Sequence, residues 1–134
     1  MVQNSSPTAT QGWLQPGTLW PRIQHQTEHA LACGALLPIA TTYTWIEQQD
    51  VRFLIRILAN IQRKETAKQQ QPKNFNPFLP YDQNLFVANL SPSHLVLLNK
   101  FNVMDHHILI VTRAYESQES LLNAADFTAL ALGL

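Results

Sequence analysis

The chemistry-bearing residues of this chain are five histidines, one cysteine and a few lysines. His25 and His29 are four apart, the spacing of paired metal ligands on one helix face. Glu28, however, directly precedes His29 instead of following His25, where a metalloprotease-like base belongs. No third ligand stands nearby in sequence, and Cys33 alone cannot build a cysteine-rich zinc site. Polar helix-surface histidines are therefore expected. His106 and His107 are adjacent at the start of a predicted strand, so alternation sends them to opposite faces and only one can enter a pocket. The four glycines are scattered, which leaves no phosphate-cradling loop, and there is no serine-centred elbow or recommended Cys/His pair. What stands out is Asn99-Lys100 at a predicted strand end and a lysine-bearing loop, Lys64, Lys68 and Lys73, earlier in the chain. The plain alternatives are a turn-forming asparagine and a solvated lysine.

The composition narrows the partners. A length of 134 residues suits one ordinary domain, and the 46% apolar share predicts a packed core. Nine basic side chains balance nine acidic ones, so the surplus needed to neutralise a nucleic-acid backbone is missing. A mononucleotide or dinucleotide needs only a few placed cations. The N-terminus lacks the basic and apolar regions of a secretory signal, and no run approaches the roughly 18 apolar residues of a bilayer span. With a single cysteine, expected to be buried near a helix end, a cytoplasmic location without membrane or nucleic-acid partners is the expectation.

The elements that must position these residues read as follows. Residues 1–17 are polar and rich in Pro and Gly, a loose arm on which Trp13 and Leu14 offer docking groups. Thr18 begins a helix running to Cys33, with Pro21 in the first turn, Gly34 as the left-handed stop and Trp20, Ile23, Thr27, Ala30 and Leu31 as one stripe. Residues 51–58 alternate as a strand, with Arg52, Leu54 and Arg56 on one face. Residues 62–80 form a polar loop rich in Gln, Asn and Pro. Strands at 95–101 and 107–112 lie too close in sequence to be parallel. Asn123 caps a final helix with Asp126 in capping-box position, and Phe127, Leu130, Ala131 and Leu134 form its core-facing stripe. That stripe reaches Leu134 still in register, which suggests a larger fold. The class is α+β with an antiparallel sheet and flanking helices.

Several segments together resemble one family. NPFLPYDQNLFV, LLNKFNV, HHILIVTR and LNAADF, with upstream EHALACGALLPI and VRFLIRILANIQRK, are similar to the N-terminal region of diadenosine tetraphosphate phosphorylases, or ATP adenylyltransferases. The likeness spans roughly residues 18–134, read as the N-terminal part of an adenylyltransferase domain. It implies an incomplete histidine-triad-like fold whose whole form cleaves diadenosine tetraphosphate with inorganic phosphate into ATP and ADP. In that family a histidine attacks the α-phosphorus and an adenylyl-histidine intermediate forms. By the same resemblance Lys64, Asn99 and Lys100 are substrate-binding residues: an amide that can donate to phosphate or ribose, and ammonium groups acting as point charges.

The chain departs from the family at the catalytic motif. His-x-His-x-Gln follows, in the family, the helix that begins here at Asn123, and no His-x-His occurs in the 134 residues. No catalytic residue is therefore assigned, and the chain is expected to be inactive alone, with the C-terminal portion of its own fold as a missing partner. No resident cofactor is evident, although the resemblance leaves room for a divalent cation assisting the full-length enzyme. The rival reading is a non-catalytic nucleotide-binding or interaction module.

Overall fold

The computed structural model describes residues 12–58 and 78–134. The first helix, α1 (Leu19–Ala32), buries Ile23, Thr27 and Ala30. Their spacing of four and three places them on one face. Thr27 satisfies its buried hydroxyl by donating to the Ile23 carbonyl at 2.7 Å. The expected stripe is narrower than its periodicity suggested, because Trp20 and Leu31 lie outside at 54% and 48% exposure. Thr18 stands at the N-cap without a side-chain cap. Its hydroxyl instead donates backwards to the Gln15 carbonyl at 2.6 Å. At the other end Gly34 takes φ +78°, a region open to glycine at no steric cost. The chain then reverses, and the Leu36 amide donates to the Ala30 carbonyl at 3.1 Å. Cys33 is exposed, contrary to expectation; its Sγ lies 3.7 Å from the Ala30 carbonyl oxygen.

A two-stranded hairpin follows, β1 (Thr41–Gln48) and β2 (Val51–Leu58). Gln49 and Asp50 both have positive φ, the mirror-image turn whose twist suits a tight hairpin. Pairing runs from Thr41 with Leu58 to Gln48 with Val51. Strand β2 has the expected bounds.

The main sheet contains β3 (Phe86–Asn89), β4 (His94–Leu98) and β5 (Ile108–Thr112) in the order β3-β4-β5, antiparallel throughout. Strand β4 is buried at every position, as befits a central strand covered on both faces. Val96 and Leu98 join Ile23, Ala30, Val87 and Ala129 in one cluster, while Leu95 and Leu97 join Phe86 in a second, smaller one. Tyr81 stacks on Phe86 there, with ring centroids 5.7 Å apart. Each fully buried leucine or valine of β4 contributes about 1.5–3 kcal/mol through removal from water.

The expected strand 95–101 stops at Leu98, since residues 99–102 turn away. Its expected neighbour 107–112 starts one residue late, at Ile108. His106 lies before the strand with φ +56°, so strand alternation does not govern it. Its ring meets Trp20 edge-on at 4.9 Å and its Nδ1 lies 3.4 Å from the Thr27 hydroxyl. Leu14 docks on the body: its amide donates to the Asn89 carbonyl at 3.0 Å and its side chain packs on the larger cluster.

The last helix, α2 (Ala124–Leu132), starts with the expected capping box of Asn123 and Asp126. Its expected core stripe is contradicted: Phe127, Leu130 and Leu134 are 58%, 51% and 101% exposed. The helix approaches the sheet through small residues instead. Ala129 is fully buried, and a side chain at Gly133 would meet the Ile110 Cδ1 at 3.0 Å.

A polar clasp sets that docking. The buried His94 meets Asp126 Oδ1 through Nε2 at 2.8 Å, and its Nδ1 meets the Ser93 hydroxyl at 2.8 Å. Asp126 Oδ2 accepts from the Asn123 amide at 2.8 Å, and the Asn123 carboxamide oxygen accepts from the Asp126 amide at 3.1 Å. The Asn123 amide first, and the His94 ring second, hold the Asp126 carboxyl below its ordinary 3.8, against a smaller opposing effect of burial. Asn123→Ala should destabilise the protein by about 1 kcal/mol through loss of the cap, read as a lower urea midpoint with unchanged slope. The carboxylate's contribution is complete above the unfolded-state value and drains away as pH falls through the lower folded one. Stability measured from about pH 6 down to about pH 2 should fall more steeply in the unaltered chain than in Asp126→Asn; parallel acid limbs would remove Asp126 as a contributor.

Candidate functional site

Asn99 and Lys100 follow β4 directly, where the chain leaves the sheet. The Asn99 amide donates to the His107 carbonyl at 2.8 Å, extending the β4–β5 ladder by one bond. Its side-chain oxygen accepts from the Phe101 amide at 3.3 Å, the local turn bond that asparagine favours. Its Nδ2 lies 3.5 Å from His107 Nδ1. Asn99 therefore shapes the turn with its oxygen. Lys100 is exposed, and its Nζ sits 5.7 Å from the Phe101 ring centroid. Its backbone carbonyl accepts from the Leu37 amide at 2.8 Å, so a fixed backbone carries a solvent-facing ammonium. Lys64, the third expected substrate residue, lies outside the described residues, as do Lys68 and Lys73.

The strip bearing Lys100 is held on its other side as well. The Ile39 amide donates to the Asn102 carbonyl at 2.9 Å, so residues 37–39 run along residues 100–102. Where that strip meets the hairpin base lies a cavity of about 220 Å³, lined by Pro38, Ile39, Thr41, Arg56 and residues 102–105. Arg56 Nη1 donates to the Val103 carbonyl at 3.1 Å and to the Thr41 hydroxyl at 3.2 Å. Arg52 lies over the Trp45 ring at 4.6 Å on the same hairpin face. The two arginines, alike in sequence, thus differ in role: Arg52 stacks within the hairpin and Arg56 pins it to the body. This cavity and Asn102 were missed from sequence. The available signal was the polar Asn102 two residues after Lys100, but nothing in the spacing says it is buried.

His29 and His94 also have structural partners. His29 Nε2 lies 2.8 Å from Asn84 Oδ1, joining α1 to the short 3-10 turn Gln83–Leu85. Ser93, His94 and Asp126 form a hydroxyl–imidazole–carboxylate chain, yet the ring is only 4% exposed and both its nitrogens are engaged. It serves as a tether between β4 and α2. Among the described residues no group of three or more His, Cys, Asp or Glu could hold a metal ion. Nor is any described helix long and apolar enough to cross a membrane.

The family profile of the Ap4A phosphorylase N-terminal domain matches residues 9–134. No curated protein matches the chain. Among solved structures, yeast Ap4A phosphorylase Apa2 in complex with AMP is similar with a TM-score of 0.67 at 20% identity, over 88% of this chain and 39% of that one. Apa2 in complex with Ap4A is similar with a TM-score of 0.61 at 21% identity, over 90% of this chain and 41% of that one. At such identity the likeness shows a shared α+β fold, and this chain spans about two fifths of the length of those structures. The profile covers nearly the whole sequence, from the docked N-terminal segment to the clasped last helix, and the chain belongs to the Ap4A phosphorylase N-terminal domain family.

Proposed function

We propose that this chain is the substrate-binding N-terminal portion of an ATP adenylyltransferase, which converts diadenosine tetraphosphate and inorganic phosphate into ATP and ADP. The family match over residues 9–134 carries this reading. The geometry at the end of β4 supports it: an exposed ammonium rises from a backbone held by the Leu37 amide on one side and by the sheet on the other. Such a cation serves a polyphosphate as a point charge, and its fixed base lowers the ordering cost of binding. The structures of Apa2 with AMP and with Ap4A give adenosine nucleotides as the ligand class to test first.

Lys64 belongs to the same proposal as a second substrate contact. ATP, ADP and phosphate are the ligands; nucleic acid and membranes are not, consistent with nine basic side chains against nine acidic ones. The remaining portion of the enzyme is the natural cover for apolar surface that α2 leaves open at Phe127, Leu130 and Leu134, since contiguous patches of that kind mark contact sites. That portion also brings the nucleophilic histidine; the chain of 134 residues holds no His-x-His. A divalent cation, where it assists the whole enzyme, is recruited with substrate phosphate and not by the described residues. The working compartment is the cytoplasm.

The purified chain should form no ATP from diadenosine tetraphosphate and phosphate, because losing the attacking group of a covalent mechanism costs on the order of 10⁶ in rate. ATP formation that co-purifies with the chain through successive columns would contradict this. In a full-length protein carrying this domain, Lys100→Ala should lower kcat/KM by about ten- to a hundred-and-fifty-fold, the worth of a charge-assisted bond to phosphate. The thermal midpoint should stay unchanged, since an exposed lysine contributes within about 0.5 kcal/mol. Unchanged kinetics would remove Lys100 from the site.

A further inference from the structure

We propose that Ser93 is a nucleophilic hydroxyl that takes a small acyl group from an activated ester, with His94 as its base and Asp126 orienting that base. Ser93 precedes β4 whereas Lys100 follows it, so this site is separate from the nucleotide reading above. The tether between β4 and α2 dictates the hydrogen positions. Asp126 Oδ1 lies 2.8 Å from the ring's Nε2. The Asn123 amide first, and that ring second, hold the carboxyl below the ordinary carboxylate value. A carboxylate only accepts, so Nε2 carries the proton of the neutral ring and Nδ1 keeps a bare lone pair. The Ser93 hydroxyl, 2.8 Å away, must donate into it. Hydroxyl to base and base to carboxylate are both within hydrogen-bond reach, the arrangement that activates a serine. The ring is turned relative to the usual hydrolase relay, in which the carboxylate meets Nδ1. Either nitrogen can serve as the base.

Burial is graded along the relay in the sense that the chemistry needs. The imidazole is shielded from water, while Ser93 is exposed. Charge developing on an acyl oxygen also finds donors at this turn. Ser91 Oγ stands 3.3 Å from Ser93 Oγ. It accepts from the Ser93 and His94 amides at 3.3 and 3.1 Å, which occupies both lone pairs and leaves its proton free to donate. Arg113 is fixed to the same turn: its amide donates to the Ser93 carbonyl at 2.8 Å and its Nη2 to the Ser91 carbonyl at 3.3 Å. Among the described residues no carboxylate pairs with that guanidinium. A hydroxyl proton and an unpaired cation set beforehand around the nucleophile suit a developing oxyanion. The exposed turn Ser91-Pro92-Ser93 offers a long substrate little to hold, so the fitting donor is a small acyl group on a good leaving group.

The step is a transesterification. Ser93 Oγ forms a bond to the acyl carbon, and its proton passes to His94 Nδ1. The resulting imidazolium is held by the Asp126 carboxylate. The bond from the acyl carbon to the leaving oxygen then breaks, and the proton passes from Nδ1 to that oxygen. Acyl-Ser93 and the free alcohol are the products, and nothing is oxidised or reduced.

Timed reaction of the 134-residue chain with p-nitrophenyl acetate, followed by peptide mapping, tests the assignment. Ser117 and Ser120 are exposed serines of the same chain and serve as internal controls. Ser93 should gain acetyl about a hundredfold or more faster than either, the usual worth of a positioned base. Equal rates at the three serines, or no acetyl on Ser93, overturn the assignment and leave the Ser93–His94 bond as a structural tie. That comparison is made in the unaltered chain and so stands whether or not any variant folds. Asp126→Asn, checked for folding by circular dichroism, should cut the lead of Ser93 over the two controls by about tenfold or more. A lead that survives intact in folded Asp126→Asn overturns the relay as its cause.

Discussion

Strand β4 has no exposed residue, and most of the described body is arranged around that constraint. A strand buried on both faces requires a neighbour on each edge and a cover on each side. β3 and β5 supply the edges, with registers running from Phe86 opposite Leu97 to His94 opposite Thr112. α1 and α2 cover one side through Ile23, Ala30 and Ala129, while Phe78 and Tyr81 pack on the other. Polar groups at the two ends of β4 then bear the consequences. His94 at its start is buried and must find partners for both nitrogens, which it does in Ser93 and Asp126. Asn99 just past its end must turn the chain out of the sheet, which it does by accepting from the Phe101 amide.

How much of this was legible in the sequence follows from where each signal lives. The capping box at Asn123 and Asp126, the stop at Gly34 and the strand at 51–58 are local, and all three are present in the structure, although β2 is exposed at every position from Val51 to Ile57 and its burial does not alternate. The hairpin partner β1 was overlooked although Thr41 to Ile46 are β-branched or aromatic. Its turn uses Gln49 and Asp50 at positive φ without a glycine, so the usual hairpin dipeptide is missing. Strand β3 was overlooked because four residues beginning at Phe86 are too few to show a period. The errors on α2 have another cause. Its periodicity identified an apolar face but could not say that this face is the one left open, since the sheet needs close approach and takes Ala129 and Gly133.

The site divides in the same way. Asn99 and Lys100 were singled out for their chemistry, and both sit where the chain leaves β4. Their unequal engagement could not be foreseen: one oxygen is committed to a turn while the ammonium stays in solvent. Arg56 and Arg52 were indistinguishable by alternation. Only tertiary structure shows that Arg56 reaches the Val103 carbonyl whereas Arg52 stacks on Trp45. Nothing in the spacing said that Asn102 is buried, because burial of a polar side chain is set by residues 37–39 folding along it.

The hairpin depends on its attachment to a fixed strip. Two strands alone are marginal in water, and Ile46, Phe53, Ile55 and Ile57 remain 40–52% exposed. Its polar tie to the body runs through Arg56 and Thr41 to the Val103 carbonyl, one residue from Asn102. Any ligand resting on the 100–103 strip therefore touches the segment that also anchors the hairpin. Binding there stabilises both attachments, since a ligand specific for the folded strip favours every state in which the strip is formed. Apolar cover on the open hairpin face would act in the same direction from the other side. The two effects meet at Arg56, whose Nη1 is shared between the hairpin's own Thr41 and the body's Val103. Arg56 is in this way a side-chain link between the hairpin and the 100–103 strip, beside the Thr41 hydroxyl.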